Sequence, residues 1–126
     1  MGKVLVESEL VALKFYSEEK MKAIREEFEA EILQHPHLST RKMFGCPCYK
    51  AGGTLFAFIV TDGVVLTHLS ENERAEAHEL PGAKSFESDQ RMMKKWVQLQ
   101  VKDRLALKKV MPWVMKSYQN ALALEK

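Results

Sequence analysis

Hydrophobic positions change period along the chain, and each change marks an element. Met21, Ile24, Phe28 and Ile32 recur on one helical stripe, with Glu18, Lys22, Glu26 and Glu29 off it. Ser17 stands where an N-cap belongs, and Glu18 and Glu19 fill the first turn, where the helix dipole favours acids. These positions predict a helix over 17–34. Leu10 and Leu13 continue the stripe backwards, towards a start near Ser8, and residues 1–16 are otherwise an N-terminal extension. His35-Pro-His37 ends the helix, because a residue before proline is pushed out of the α region.

From residue 39 the pattern takes the period of strands. Thr40–Phe44 is a short candidate. Cys48–Ala51, a Gly52–Gly53 turn and Thr54–Thr61 form a hairpin, and Asp62–Gly63 turns the chain into Val64–Leu69. With Asp62–Gly63 as the loop, Val60 opposes Val65 and Ala57 opposes His68. Ser70 and Glu73 form a capping box for a two-turn helix that ends before Pro81–Gly82. Lys84–Phe86 and Met93–Val101 read as strands. Asp103 caps a closing helix to about Leu124, with Pro112 expected to kink or restart it. This order gives an α+β fold in two layers, an antiparallel sheet of about five strands with helices on one face.

Alternation places Phe56, Phe58, Val60, Val65 and Leu69 on one side of the sheet, and Leu55, Ala57, Ile59, Leu66 and His68 on the other. Both sides are apolar and helices cover only one. A side left open through Leu55, Ile59 and Leu66 points to a homodimer.

The chain has 126 residues, enough for one domain spanning 1–126, with no internal repeat or linker. Its longest apolar run is Leu55–Val60, far short of the roughly 20 residues that span a bilayer. Only three apolar residues adjoin near Met1, too few for a signal peptide, and Val6 stands where myristoylation wants Ser or Thr. A cytoplasmic chain without membrane contact is expected. Charge is unevenly spread: residues 1–79 hold nine Lys/Arg against thirteen Asp/Glu, and residues 80–126 hold ten against four.

The basic C-terminal third carries one pattern with chemistry in it. On a helical wheel Lys109, Trp113, Lys116 and Asn120 fall together, with Arg91, Lys94 and Lys95 adding to the same charge. Trp113 there stacks on a base or partner while Lys109 and Lys116 meet phosphates, or it packs internally with the lysines lying over it. Cys46-Pro-Cys48 is the most reactive-looking feature. Through Ala57, Cys48 aligns with His68 in the predicted register, which invites a metal or thiol-redox site. Two strand spacings, about 9.6 Å, nevertheless separate them, too far for one Zn²⁺. The other reading makes both cysteines small buried hydrophobes. His35 and His37 have an H-x-H spacing without a third ligand nearby, and Glu26, Glu27, Glu29 and Glu31 read mainly as a solvated face. No nucleophile–base spacing or phosphate loop appears, so no catalytic residue, metal or cofactor is assigned.

Arg41-Lys-Met-Phe-Gly45, followed by a short strand, a glycine turn, Thr54–Val60, Asp62–Gly63 and Val64–Leu66, resembles the N-terminal domain of the TfoX/Sxy competence regulators. Gly82-Ala-Lys-Ser-Phe86, the strand around Trp96 and the helix around Pro112–Trp113 are similar to it as well. The likeness covers roughly 17–124, and its most specific part is Arg-Lys-Met-Phe-Gly. It implies a two-layer α+β domain without established catalytic residues, acting in regulation through a protein partner or nucleic acid. The regulators' helical C-terminal domain has no counterpart in this sequence, which therefore resembles a stand-alone version. Cys46-Pro-Cys48 departs from the small residues expected there.

Overall fold

The computed structural model describes residues 15–43, 45–87 and 91–124. Most of the 1–16 extension, including the expected backward run to Leu10 and Leu13, lies outside them, as does Phe44. Among the described residues the chain is α+β: α1 (Glu18–Ile32), β1 (Leu38–Met43), β2 (Cys46–Ala51), β3 (Thr54–Val60), β4 (Gly63–Leu66), α2 (Glu71–His78), β5 (Lys84–Glu87), β6 (Met92–Gln100) and α3 (Arg104–Ala123). All strand pairs are antiparallel, in the order β1-β2-β3-β4-β6-β5. The sheet has six strands, in line with the about five expected, and the short candidate strand at Thr40–Phe44 is β1, paired with β2 along its whole length.

Each helix begins at the cap its sequence predicts. Ser17 Oγ accepts from the Lys20 amide, Asp103 Oδ1 accepts from the Ala106 amide at 2.8 Å, and Ser70 and Glu73 exchange both capping-box bonds. α3 runs through Pro112 as one helix rather than restarting.

The hairpins depart from the predicted register in two places. In the β3–β4 hairpin Val60 pairs with Gly63 and Ala57 with Leu66, so the turn is Thr61–Asp62 and not Asp62–Gly63. Asp62 takes the left-handed conformation itself, at φ 60°. Gly63 serves the strand instead: a Cβ there would lie 3.1 Å from the Leu99 carbonyl oxygen and 3.2 Å from Val60. A shift of two residues keeps the side chains of Ala57–Val60 and of β4 on their predicted sides. In the β2–β3 hairpin the Gly52–Gly53 turn forms with Ala51 opposite Thr54, but the register then slips, so Tyr49 faces Ala57 and Cys48 faces Phe58. Phe56 is the extra residue of this bulge.

That bulge decides which side the helices cover. Tyr49, Ala57 and Leu66 form one row, and the Tyr49 ring packs 4.9 Å from Phe28 of α1. Phe56 turns to the same side, edge-on to Tyr118 of α3. The side through Ile59 and Leu66 is therefore the helix-covered core. Both residues are fully buried within one chain and Leu55 is partly so, which removes them as a face between two copies.

The opposite side is closed by the sheet itself. Ser85 pairs with Val97 but Phe86 pairs with Met93, leaving Lys94, Lys95 and Trp96 in a wide irregularity of β6. This curls the β5–β6 end over, so that Phe86 and Trp96 meet Phe58 edge-on, at 5.2 and 5.7 Å, with Phe15 against Phe86 at 6.0 Å. Phe58 and Val65 are buried beneath them.

Candidate functional site

α1 presents charged side chains towards β2, and a polar network joins the two. Arg25 makes a bidentate bond to Glu18, Nε to Oε1 at 2.9 Å and Nη2 to Oε2 at 2.7 Å, and its Nη1 donates to Glu29 at 3.0 Å. Tyr49 rises from β2 to donate to Glu29 Oε2 at 2.7 Å, and the Tyr16 hydroxyl donates to Glu18. Five side chains, Tyr16, Glu18, Arg25, Glu29 and Tyr49, thereby satisfy one another. The hydrogen bonds from Arg25, and then that from Tyr16, hold the Glu18 carboxyl down at about 2. Burial, reinforced by the neighbouring carboxylates, pushes both tyrosine hydroxyls up. Glu18 and Glu29 are thus working members of the network and not merely a solvated face.

Beside this network lies a cleft of about 530 Å³. One wall is Tyr16, Glu18, Arg25 and Glu29; the other is the β1–β2 end of the sheet, with Thr40, Arg41, Lys42, Pro47 and Cys48. Arg25 is committed to two carboxylates. Arg41 and Lys42, by contrast, are exposed and make no side-chain hydrogen bond or ion pair among the described residues. The α1 wall, with one cation against two carboxylates, therefore carries a net negative charge, and the β1 wall is positive. The Glu18–Arg25 and Arg25–Glu29 spacings are visible in the sequence, but reaching Tyr49 depends on the tertiary approach of α1 to β2.

The row Cys48–Ala57–His68 does not form. The bulge at Phe56 turns Cys48 to the side of Phe58, whereas Ala57 pairs with Tyr49 and Leu66. His68 lies beyond the end of β4, its amide bonded to Ser117 Oγ and its Nδ1 within 3.0 Å of Thr67 Oγ1. Cys46 and Cys48 are free and buried, and burial pushes their thiols up to about 12 and about 11. No group of three or more His, Cys, Asp or Glu is placed to hold a metal among the described residues. His35 instead packs its ring 5.5 Å from Tyr118, whose hydroxyl donates to the Pro36 carbonyl.

Lys109, Trp113, Lys116 and Asn120 all lie on α3, whereas Lys94 and Lys95 lie on β6. Lys116 lies over the Trp113 ring at 5.6 Å and pairs with Glu76 of α2 at 3.9 Å. Asn120 donates to Glu73 at 2.8 Å and to the His68 carbonyl at 2.7 Å. Trp113 is partly buried, with a buried Nε1 that has no acceptor among the described residues, while Lys109 is exposed. Lys94 and Lys95 sit in the β6 irregularity, and it is α2 that packs on β6, whereas α3 packs on β2, β3 and β4. The structure thus brings Lys116 and Asn120 against α2, with Lys116 over Trp113, keeps Lys109 on the same helix, exposed, and leaves Lys94 and Lys95 on another element.

No helix among the described residues is long and apolar enough to cross a membrane. No family model matches the chain, and neither a curated protein nor a solved structure does so.

Proposed function

We propose that the chain is a non-enzymatic binding domain of the TfoX N-terminal type that acts through contacts with a protein partner. The observation that carries this reading is the exposed pair Arg41 and Lys42, without counter-ions among the described residues, on an edge strand that borders the cleft. Both belong to Arg-Lys-Met-Phe-Gly, the run that carries the family resemblance. In the helix stripe that would have met phosphates, Lys116 and Asn120 are engaged with Glu76 and Glu73 of α2 instead. Protein contact is favoured over nucleic acid for that reason.

Two measurements test the reading together. Purification at physiological salt should retain a protein partner at constant stoichiometry, and Arg41→Glu with Lys42→Glu should release it. Titration with a mixed-sequence duplex and a single strand at low salt should leave Trp emission unchanged. Salt-sensitive duplex binding that weakens in Lys109→Ala, Lys116→Ala protein would overturn the proposal.

A further inference from the structure

We propose that the outer edge of β1 takes an extended acidic segment of a protein partner as a seventh strand, with the segment's carboxylates on Arg41 and Lys42. This rests on the protein-contact reading and adds to it the chemistry of the segment and the way it docks.

The backbone supplies the first argument. β1 closes the sheet at one side, and five of its six residues are exposed. The Gly52 amide donates to the His37 carbonyl at 2.8 Å, which makes His37–Gly52 a hydrogen-bonded pair. Bonded and non-bonded pairs alternate along an antiparallel ladder, so Ser39–Lys50, Arg41–Cys48 and Met43–Cys46 are bonded in turn. The amides and carbonyls of Leu38, Thr40 and Lys42 therefore point away from β2, along the outer edge. Three residues in register, each offering one donor and one acceptor, form a template for strand addition.

Charge supplies the second. Neighbouring residues of a strand project to opposite sides, so Arg41 and Lys42 flank an added strand from both faces. Basic side chains on an edge oppose indiscriminate pairing, and a second copy of the chain would only add positive charge there. An acidic segment meets both cations. Thr40 shares the side of Tyr49, its partner across the ladder, and lines the cleft, so an added strand lies alongside that opening. At the other edge β5 has only four residues and carries Glu87 beside Lys84.

The test uses the full chain, ¹⁵N-labelled, with a capped heptapeptide of alternating Thr and Glu as probe and its Lys counterpart as control. At millimolar acidic peptide the amides of Leu38, Thr40 and Lys42 should exchange at least about tenfold more slowly, and those of Ser39 and Arg41 should be unchanged. The Lys peptide should have no effect, and Arg41→Glu with Lys42→Glu should abolish the protection. Thr40→Pro provides a second check, since the Thr40 amide makes no bond to β2: the variant should unfold at the same temperature yet show no protection at Leu38 and Lys42. If the acidic peptide protects none of the three amides, strand addition is overturned, whatever partner co-purifies. Peptide binding that survives Thr40→Pro lies elsewhere and also overturns it, while leaving the protein-contact reading intact.

Discussion

Ser117 Oγ donates a 2.7 Å hydrogen bond to the carbonyl of Phe56, 61 residues earlier in the chain. Phe56 is the residue that the β3 bulge leaves without a partner in β2; its carbonyl, bonded on the β4 side, has a second lone pair that calls for another donor. Ser117 provides it and also accepts from the His68 amide at 3.1 Å, with the Thr67 amide donating to the same Phe56 carbonyl. A fully buried hydroxyl on α3 thereby pins the helix to the point where the sheet changes register.

Replacing that hydroxyl should be costly out of proportion to its size. In Ser117→Ala the His68 amide loses its acceptor and Phe56 keeps only the Thr67 bond. The expected loss is about 1–3 kcal/mol, the cost of orphaning a buried polar group. Urea unfolding at neutral pH measures it. A change within about 0.5 kcal/mol, the range of a surface substitution, would mean the clamp contributes nothing.

Ile59 separates an internal core from an interface. It is wholly buried under the helices, so Ile59→Lys places an ammonium where no counter-ion or water reaches. Such a burial costs about 4 kcal/mol or more, a large share of a small domain's stability. The variant should be unfolded by circular dichroism at 25 °C. A folded variant whose only change is a smaller particle in light scattering would restore the side through Leu55, Ile59 and Leu66 as a contact between copies.

The helices, their caps and the α+β order were legible in the sequence because they rest on local chemistry: Ser17, Ser70 and Asp103 cap where their positions say they should. The sides of Ala57–Val60 and of β4 were legible too, since a two-residue shift preserves alternation. The bulge at Phe56 was not, because Gly52–Gly53 forms the predicted turn and the slip comes two residues later, under packing from Tyr118 and Ser117. That one irregularity moved Cys48 away from His68. The cleft was half legible: Glu18, Arg25 and Glu29 show helical spacing, but their partner Tyr49 and the exposed Arg41 and Lys42 become a site only when α1 packs beside the β1–β2 edge.

Trp113 carries a buried indole N–H that has no acceptor among the described residues. Trp113→Phe removes that donor and keeps most of the apolar contact, so stability should be unchanged within about 1 kcal/mol or rise slightly. Trp113→Ala should cost about 3 kcal/mol, because the ring's volume is lost along with the Lys116 contact. Equal destabilisation in the two variants, by urea unfolding, would mean the N–H has a partner.

The Arg25 network sets a dependence on acid. The Glu18 carboxyl titrates at about 2 in the folded chain, below the 4.5 of a free side chain. A depressed carboxyl contributes stability that is fully present above its unfolded value and is lost as pH falls through the folded one, here from about 4.5 to about 2. Its side chain is half exposed, so the effect is small but has a definite sign. Glu18→Gln should flatten the stability curve between pH 5 and 2. Arg25→Met should instead lower stability at pH 7 by about 1–2 kcal/mol, since it also strips Glu29 of a charged partner. An unchanged acid slope in Glu18→Gln would show that the bidentate pair does not form in solution.

The two thiols set the opposite dependence, at the alkaline end. Burial holds Cys46 at about 12 and Cys48 at about 11, above the 9.0 of an exposed thiol. A group whose folded value is raised contributes stability that is complete below the unfolded value and disappears as pH climbs through the folded one. Stability should therefore fall between about pH 9 and 12, and Cys46→Ala with Cys48→Ala should lessen that slope. At pH 7 both sulfurs are protonated and covered, so alkylation by iodoacetamide should be slow in the native chain and rapid in urea. Fast labelling of either cysteine at pH 7 without denaturant would show a thiolate that burial does not suppress, and would return Cys46-Pro-Cys48 to consideration as a reactive site.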